Sequence, residues 1–317
     1  MGGNTNSKSR ISRPCSPRDA LPWCCAVIER PKTLRALRLV ALCVACLSAA
    51  PGGASETGLV DAPLWEAGVG IGAVVFPVYR GAATTSFYAL PLPYFVYRGS
   101  FFHADHNGAS LQFVDDDLLR LHLSASAGPP VKSSDVTIRA GMPDLRPTVE
   151  LGPSLEIQLW RSQDSATIVT AQLPVRAAVT VESSPRSIGA LGSAFINVDR
   201  QNAFGWKGWS VGMRMGPMFQ TRAYDQYFYG VDPEYARTGR PAYSSSGGYA
   251  GAQWLGSVTK RFAHTWIGAF VRYDTLDSAS FAESPLVQSR HYFATGIGFA
   301  WIIRTSSETV HIDPARD

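Results

Sequence analysis

Residues 148 to 160 read TVELGPSLEIQLW, with Val149, Leu151, Leu155, Ile157 and Leu159 on odd numbers and Glu150, Ser154, Glu156 and Gln158 on even ones. A period of two belongs to a β-strand whose two faces meet different surroundings. Which face meets which solvent decides the fold.

The pattern recurs along the chain. In 65–76 (WEAGVGIGAVVF), Trp65, Ala67, Val69, Ile71, Ala73 and Val75 oppose Glu66, Gly68, Gly70 and Gly72. Leu119, Leu121 and Leu123 oppose Arg120, His122 and Ser124, and Val169, Leu173, Val175, Val179 and Val181 oppose Thr170, Gln172, Arg176 and Glu182. Further copies begin at Trp209, Ala252, Thr265 and His291, and weaker candidates lie at 88–97 (with Pro91 and Pro93), 101–113 and 189–198. Turn residues separate them, among them Arg98-Gly99-Ser100, Asn107-Gly108, Asp115 to Asp117, Ser162 to Ser165 and Ala263-His264. No stretch sustains a helical period, and after residue 54 no apolar run is as long as a membrane helix.

A soluble sandwich buries its apolar faces, whereas a transmembrane barrel turns them to lipid and encloses the polar ones. Three features favour lipid. The apolar faces continue for about ten residues, the length a tilted strand needs to cross a bilayer. Opposite faces are rich in Gly and Ser, which suits a crowded interior. Trp65, Tyr79, Tyr97, Trp160, Trp209, Trp266, Tyr273 and Trp301 fall at or near strand ends, where interfacial aromatic girdles belong. The fold expected is therefore an all-β, transmembrane, antiparallel up-and-down β-barrel. Eleven candidate strands and the even-number habit of bacterial barrels lead to about twelve strands, with ten as the alternative. With residue 303 ending at the periplasmic side, 128–147, 223–249 and 275–289 become outer loops.

The first 54 residues differ from the rest. All five cysteines (Cys15, Cys24, Cys25, Cys43, Cys46) lie there, and Lys32, Arg35 and Arg38 precede the apolar run Leu39 to Ala50 and the small residues Gly52-Gly53-Ala54. This reads as a signal peptide with an extended N-terminal leader, cleaved near Ala54; Val44-Ala45-Cys46 is only a partial match to a lipid-attachment site. The domains expected are thus 1–54 leader, 55–303 barrel and 304–317 polar tail. The chain's net charge of +4 (29 basic, 25 acidic) is a leader effect: eight basic and two acidic residues lie before residue 55, leaving 21 against 23. A slightly acidic mature chain gives no electrostatic support for a nucleic-acid partner.

GVGIGAVVFPVYRG, LPLPYFVYRGSFF, LQFVDDDLLRLHLSASAG and the tyrosine-rich YDQYFYGVDPEYARTGRPAYSSSGGY together resemble the MipA/OmpV family, named for the MltA-interacting protein. The resemblance covers about residues 65–303. It implies an outer-membrane barrel, some members of which look like scaffolds joining a lytic transglycosylase to a penicillin-binding protein. Here FAWII is followed by the polar RTSSETVHIDPARD, whereas members of the family tend to end on an aromatic residue; Phe299 or Trp301 then serves from an internal position.

No chemistry-bearing motif competes with this reading. His103, Asp105 and His106 resemble metal ligands, but they approach an Asn-Gly turn where polar residues need no metal. Asp115 to Asp117 lack the spacing of a calcium loop. The GVGIG run at 68–72 cannot open a phosphate-binding helix, because Val74, Val75, Phe76 and Pro77 follow it closely. No nucleophile elbow occurs, and His122 with Ser124, or His264 and His291, are residues that a barrel hydrolase could recruit without one. The chain is therefore expected to be no enzyme and to hold no cofactor and no metal. Its partners are expected to be outer-membrane lipid and, through turns 114–117 and 199–208 or the tail, a lytic transglycosylase and a penicillin-binding protein. Arg120, Glu150, Glu156, Arg176, Arg214 and Arg272 are expected to face the lumen, pairing across strands in preference to lining a pore. Tyr224, Tyr227, Tyr229, Tyr235 and Tyr243 are candidate loop contacts. A small channel and a surface adhesin are the alternative functions.

Overall fold

The computed structural model describes residues 60–98, 102–105, 108–115 and 118–312. The leader, the turns at Gly99-Ser100 and Asp116-Asp117, and His106 lie outside the described residues, as do the side chains of residues 108–115 and of His103 and Asp105.

The chain begins with the short strand β1 (Val60–Pro63). The long strands follow: β2 (Trp65–Pro77), β3 (Thr85–Arg98), β6 (Leu119–Gly128), β7 (Thr148–Arg161) and β8 (Thr167–Thr180), with the hairpin β4 (Phe102–Asp105) and β5 (Gly108–Asp115) between β3 and β6. Next come β9 (Ser187–Ser193), β10 (Phe195–Gln201), β11 (Trp209–Gln220), helix α1 (Arg222–Tyr229), β12 (Gly248–Arg261), β13 (Thr265–Thr275), β14 (His291–Thr305) and β15 (Thr309–Ile312). Each long strand pairs antiparallel with its sequence neighbour, and β14 pairs with β2 to close the sheet on itself. β9 and β10 are two halves of one staple in the wall, since both lie between β8 and β11 on either side of Ala194. Counted that way, the described residues make twelve strand positions around the barrel. The twelfth position comes from the single candidate strand expected at 101–113, whose described residues form the two paired strands β4 and β5.

The register confirms the two faces. Leu151 (47% exposed), Val175 (58%), Ile71 (57%) and Ile297 (67%) stand on the outside, while Glu66, Ser154 and Asn197 on the other face are almost fully enclosed. An apolar exterior over a polar interior is the membrane-barrel arrangement. Among the described residues no helix is long and apolar enough to cross a membrane, which is silent about strands. The exterior band ends in aromatic residues: Trp65 opposite Tyr97, with Trp160 and Trp301 at the short-turn end, and Tyr273 with Phe293 at the other. A bulge after Gln158 lets both Leu159 and Trp160 face outward.

Two girdle residues are corrected. Tyr79 lies in the β2–β3 loop, buried, its hydroxyl donating to Leu286 O at 2.9 Å. Trp266 shares the inner face with Arg272, and its ring lies against the position a Cβ on Gly268 or Gly298 would take.

The polar tail departs from expectation too. β14 continues past 303 through a bulge, and Ser306 N then donates to Trp65 O and Leu64 N to Glu308 O, leading into a β1–β15 ribbon that prolongs the seam between first and last strands.

Candidate functional site

Three parts of the barrel gather chemistry: the lumen, the long-loop end and the short-turn end. In the lumen, strand register puts Arg120 directly opposite Glu156 (3.8 Å). Arg176 lies 3.8 Å from Glu150, and its Nε and Nη2 also donate to Ser124 Oγ. Arg214 donates to Asn197 Oδ1 at 2.8 Å and lies over the Phe195 ring. Arg272 and Arg80 both bind the fully buried Asp274, at 2.7 and 2.8 Å. All six candidates thus stand on the inner face, spread along it. A second cluster was missed by the sequence reading. Glu66, 1% exposed, accepts from Arg98 (2.9 Å) and Arg261 (2.7 Å), near Tyr94. Its signal was legible, because Glu66 is the sole charge on the glycine face of β2.

The long loops 129–147, 221–247 and 276–290 fold over one end of the barrel. Their shared core contains Val136, Leu145, Tyr229, Leu276 and Phe281, joined from the barrel by Phe195 and Met218. Tyr229 stacks on Phe281 with ring centroids 3.7 Å apart. Helix α1 was not anticipated; at eight residues it is too short to stand by propensity and is held by its buried tyrosines. Two of the five candidate contact tyrosines are therefore corrected: Tyr224 and Tyr229 are buried, Tyr224 donating to Glu150 Oε1 at 2.7 Å. Tyr227 bonds the Arg146 backbone and Tyr243 donates to Ser280 O, while Tyr235 is partly exposed at the turn Pro233–Tyr235. Burial raises the hydroxyl pKa of Tyr79 to about 12 and pushes those of Tyr224 and Tyr229 upward as well. Asp225, on α1, is fully buried; burial raises its carboxyl pKa although Ser245 and Ser280 both donate to it.

The short-turn end presents an aromatic patch. Between β10 and β11, residues 202–208 make a tight turn in which Asn202 (φ 47) and Phe204 (φ 60) are both left-handed. A bulky residue in that region is an outlier that costs of order 1–3 kcal/mol. Asn202 Oδ1 fixes the turn by accepting from Gly208 N at 2.9 Å. Phe204 (73% exposed) and Trp206 (61%) project from it, and Phe262 stands on the next turn. Lys260 ties the two turns together: its Nζ donates to Lys207 O and lies over the Trp209 and Phe262 rings.

The histidines considered for hydrolysis are not brought together. His264 sits on a short turn, whereas His291 begins β14 at the long-loop end, bonded to Tyr273 at 2.8 Å. Ser124 is engaged by Arg176. Among the described residues no group of three or more His, Cys, Asp or Glu could hold a metal ion.

A family model described as MltA-interacting protein MipA matches residues 69–303. Curated proteins give no match. Among solved structures, the outer membrane phospholipase A from Escherichia coli is similar at 10% identity, with 74% of this chain and 92% of that chain covered and a TM-score of 0.29.

Proposed function

The chain belongs to the MltA-interacting protein MipA family, and from that premise we propose that it is a non-enzymatic docking barrel of the outer membrane. Its short turns face the periplasm and its long loops the exterior, as is usual in such barrels. The partner held at the periplasmic end is a lytic transglycosylase, brought there together with a penicillin-binding protein for cell-wall remodelling.

The observation that supports a docking role is the turn at 202–208. A girdle residue needs only to sit at the membrane boundary, whereas here two large aromatic side chains are carried on a strained, internally bonded backbone. Strain of this kind persists where surrounding structure enforces it and collects at functional sites. Rigid exposed aromatics are also the residue class that anchors protein interfaces. The six lumen residues serve the barrel itself in this reading: Arg120 pairs with Glu156, Arg176 with Glu150 and Arg272 with Asp274, and Arg214 bonds Asn197.

Capture of a purified lytic transglycosylase by the detergent-solubilised barrel tests the proposal. Replacing both aromatics (Phe204→Ser with Trp206→Ser) is expected to weaken capture by about tenfold or more, the usual scale for losing an aromatic anchor. Unchanged capture by the double variant counts against this turn as the dock; no capture by the parent barrel counts against the role.

A further inference from the structure

Arg200 and Lys260 stand on the outer face of the wall, near the short-turn end. The register fixes their direction. Arg200 of β10 lies opposite Thr167 and Val211, and Lys260 of β12 lies opposite Trp209 and the exposed Ile267. Because Arg214 of β11 faces the lumen, Trp209 and Val211, at odd positions of the same strand, face outward. β11 separates β10 from β12, so the two cations are two strands and one residue pair apart, on the order of 10 Å. Trp209 and Val211 occupy the strand between them.

The protein neutralises neither cation. Among the described residues no carboxylate lies within ion-pair reach of either. Arg200 makes one bond, from Nη1 to Thr167 Oγ1 at 2.8 Å, although a guanidinium carries five donors. Asp164, on the turn before β8, engages Oδ1 with Ser162 Oγ and Ala166 N instead. A lysine that only snorkels extends its ammonium into water. Lys260 is folded down onto the wall: its Nζ donates to Lys207 O and lies 5.5 and 5.3 Å from the centroids of Trp209 and Phe262. Two of the three ammonium donors stay open.

A cation on a lipid-facing surface becomes more costly with depth. Arg200 is level with Val211, one residue pair farther into the wall than Trp209 and Lys260. The outer face beside and beyond it is apolar, with Val258, then Val198 and Met213. An anion that carries its own hydrocarbon matches both halves of this surface at once.

We propose that Arg200 and Lys260 form a site on the outer wall for the phosphodiester headgroup of one anionic phospholipid. The phosphate lies between the two cations beside Trp209, and the acyl chains run along Val211, Val258 and Met213. Attraction between interfacial cations and anionic headgroups, next to an aromatic anchor, is the chemistry that recognises the ligand. The inference rests on the membrane-spanning barrel alone and is independent of the docking role.

The test is native mass spectrometry of the whole purified protein in detergent micelles, with dioleoylphosphatidylglycerol and dioleoylphosphatidylcholine supplied in equal amounts. The parent is expected to retain one phosphatidylglycerol with a preference of about 25-fold, since each cation near a membrane surface contributes roughly 1 kcal/mol, or about fivefold. Arg200→Gln and Lys260→Gln are each expected to lower that preference about fivefold, and Lys260→Arg to keep it. Lys132→Gln, exposed on a long loop, is expected to leave it unchanged. Should Lys260→Gln lose heat-modifiable mobility, Arg200→Gln carries the test by itself. Equal retention of the two lipids by the parent, a preference that the glutamine variants keep, or a loss of both lipids alike in those variants would each overturn the proposal. So would displacement of phosphatidylglycerol by an equal concentration of soluble glycerol phosphate, which would mark a site for free anions.

Discussion

At the scale of single residues, the barrel's interior is governed by the cost of enclosing charge. Glu66 shows this most clearly, since it holds two arginines at once, one of them, Arg98, itself buried. Removing one member of an enclosed pair leaves the other without compensation, at about 3–5 kcal/mol. Glu66→Gln keeps the shape and removes the charge, so it is expected to lower the temperature at which the folded gel band converts to the unfolded one; an unshifted temperature would mean that Arg98 and Arg261 find other partners. Asp225 gives a prediction of opposite sign. Its folded pKa lies above the unfolded value of 3.8 because burial disfavours the carboxylate. Its contribution to loop stability is therefore greatest below pH 3.8 and is lost as pH rises through the raised folded value. Amide exchange in 221–247 is expected to speed up across that window, and Asp225→Asn to flatten the dependence. Which residues face inward was largely legible, because period two assigns every position once the phase is known. Trp266 was misplaced by weighing its position near a strand end above its parity with Arg272. Tyr79 was misplaced for a different reason: its partner Leu286 lies 207 residues away, and nothing local announces that contact.

At the scale of elements, the long strands could be read from the sequence and the loop cap could not. Strand faces repeat locally, whereas the cap depends on three loops meeting over the barrel end. Phe281 is at its centre, fully buried and stacked on Tyr229. Truncating a buried Phe to Ala costs about 3–5 kcal/mol, and here that cost falls on the cap, because the strands keep their own ladder. Phe281→Ala is expected to expose the loops to trypsin at Arg237 while the heat-modifiable band stays where it is; joint loss of both would show that cap and wall fold as one unit. The β4–β5 pair is half legible: the sequence offers an Asn-Gly turn signal, but each arm is too short to read as a strand of its own. α1 gave no periodic signal, as expected of a helix stabilised by tertiary contacts alone.

At the scale of the molecule, the seam between β14 and β2 closes the sheet, and the β1–β15 ribbon extends that seam beyond the rim. Composition foretold the barrel because low charge, abundant glycine and alternating strands agree with one another. The account as a whole depends on lipid touching the odd-numbered residues of β2 and β7. The chain from residue 55 onward has no cysteine of its own, so single nitroxide labels can be placed at will. Labels at Ile71, Leu151, Val175 and Ile297, and at Gly72, Ser154 and Ser257 on the other face, should be compared in vesicles for collision with oxygen and with a water-soluble nickel complex. The barrel predicts high oxygen and low nickel collision rates at the first four positions and the reduced oxygen access of an enclosed interior at the other three; nickel reaching Ile71 and Val175 freely while the opposite face meets oxygen would contradict it.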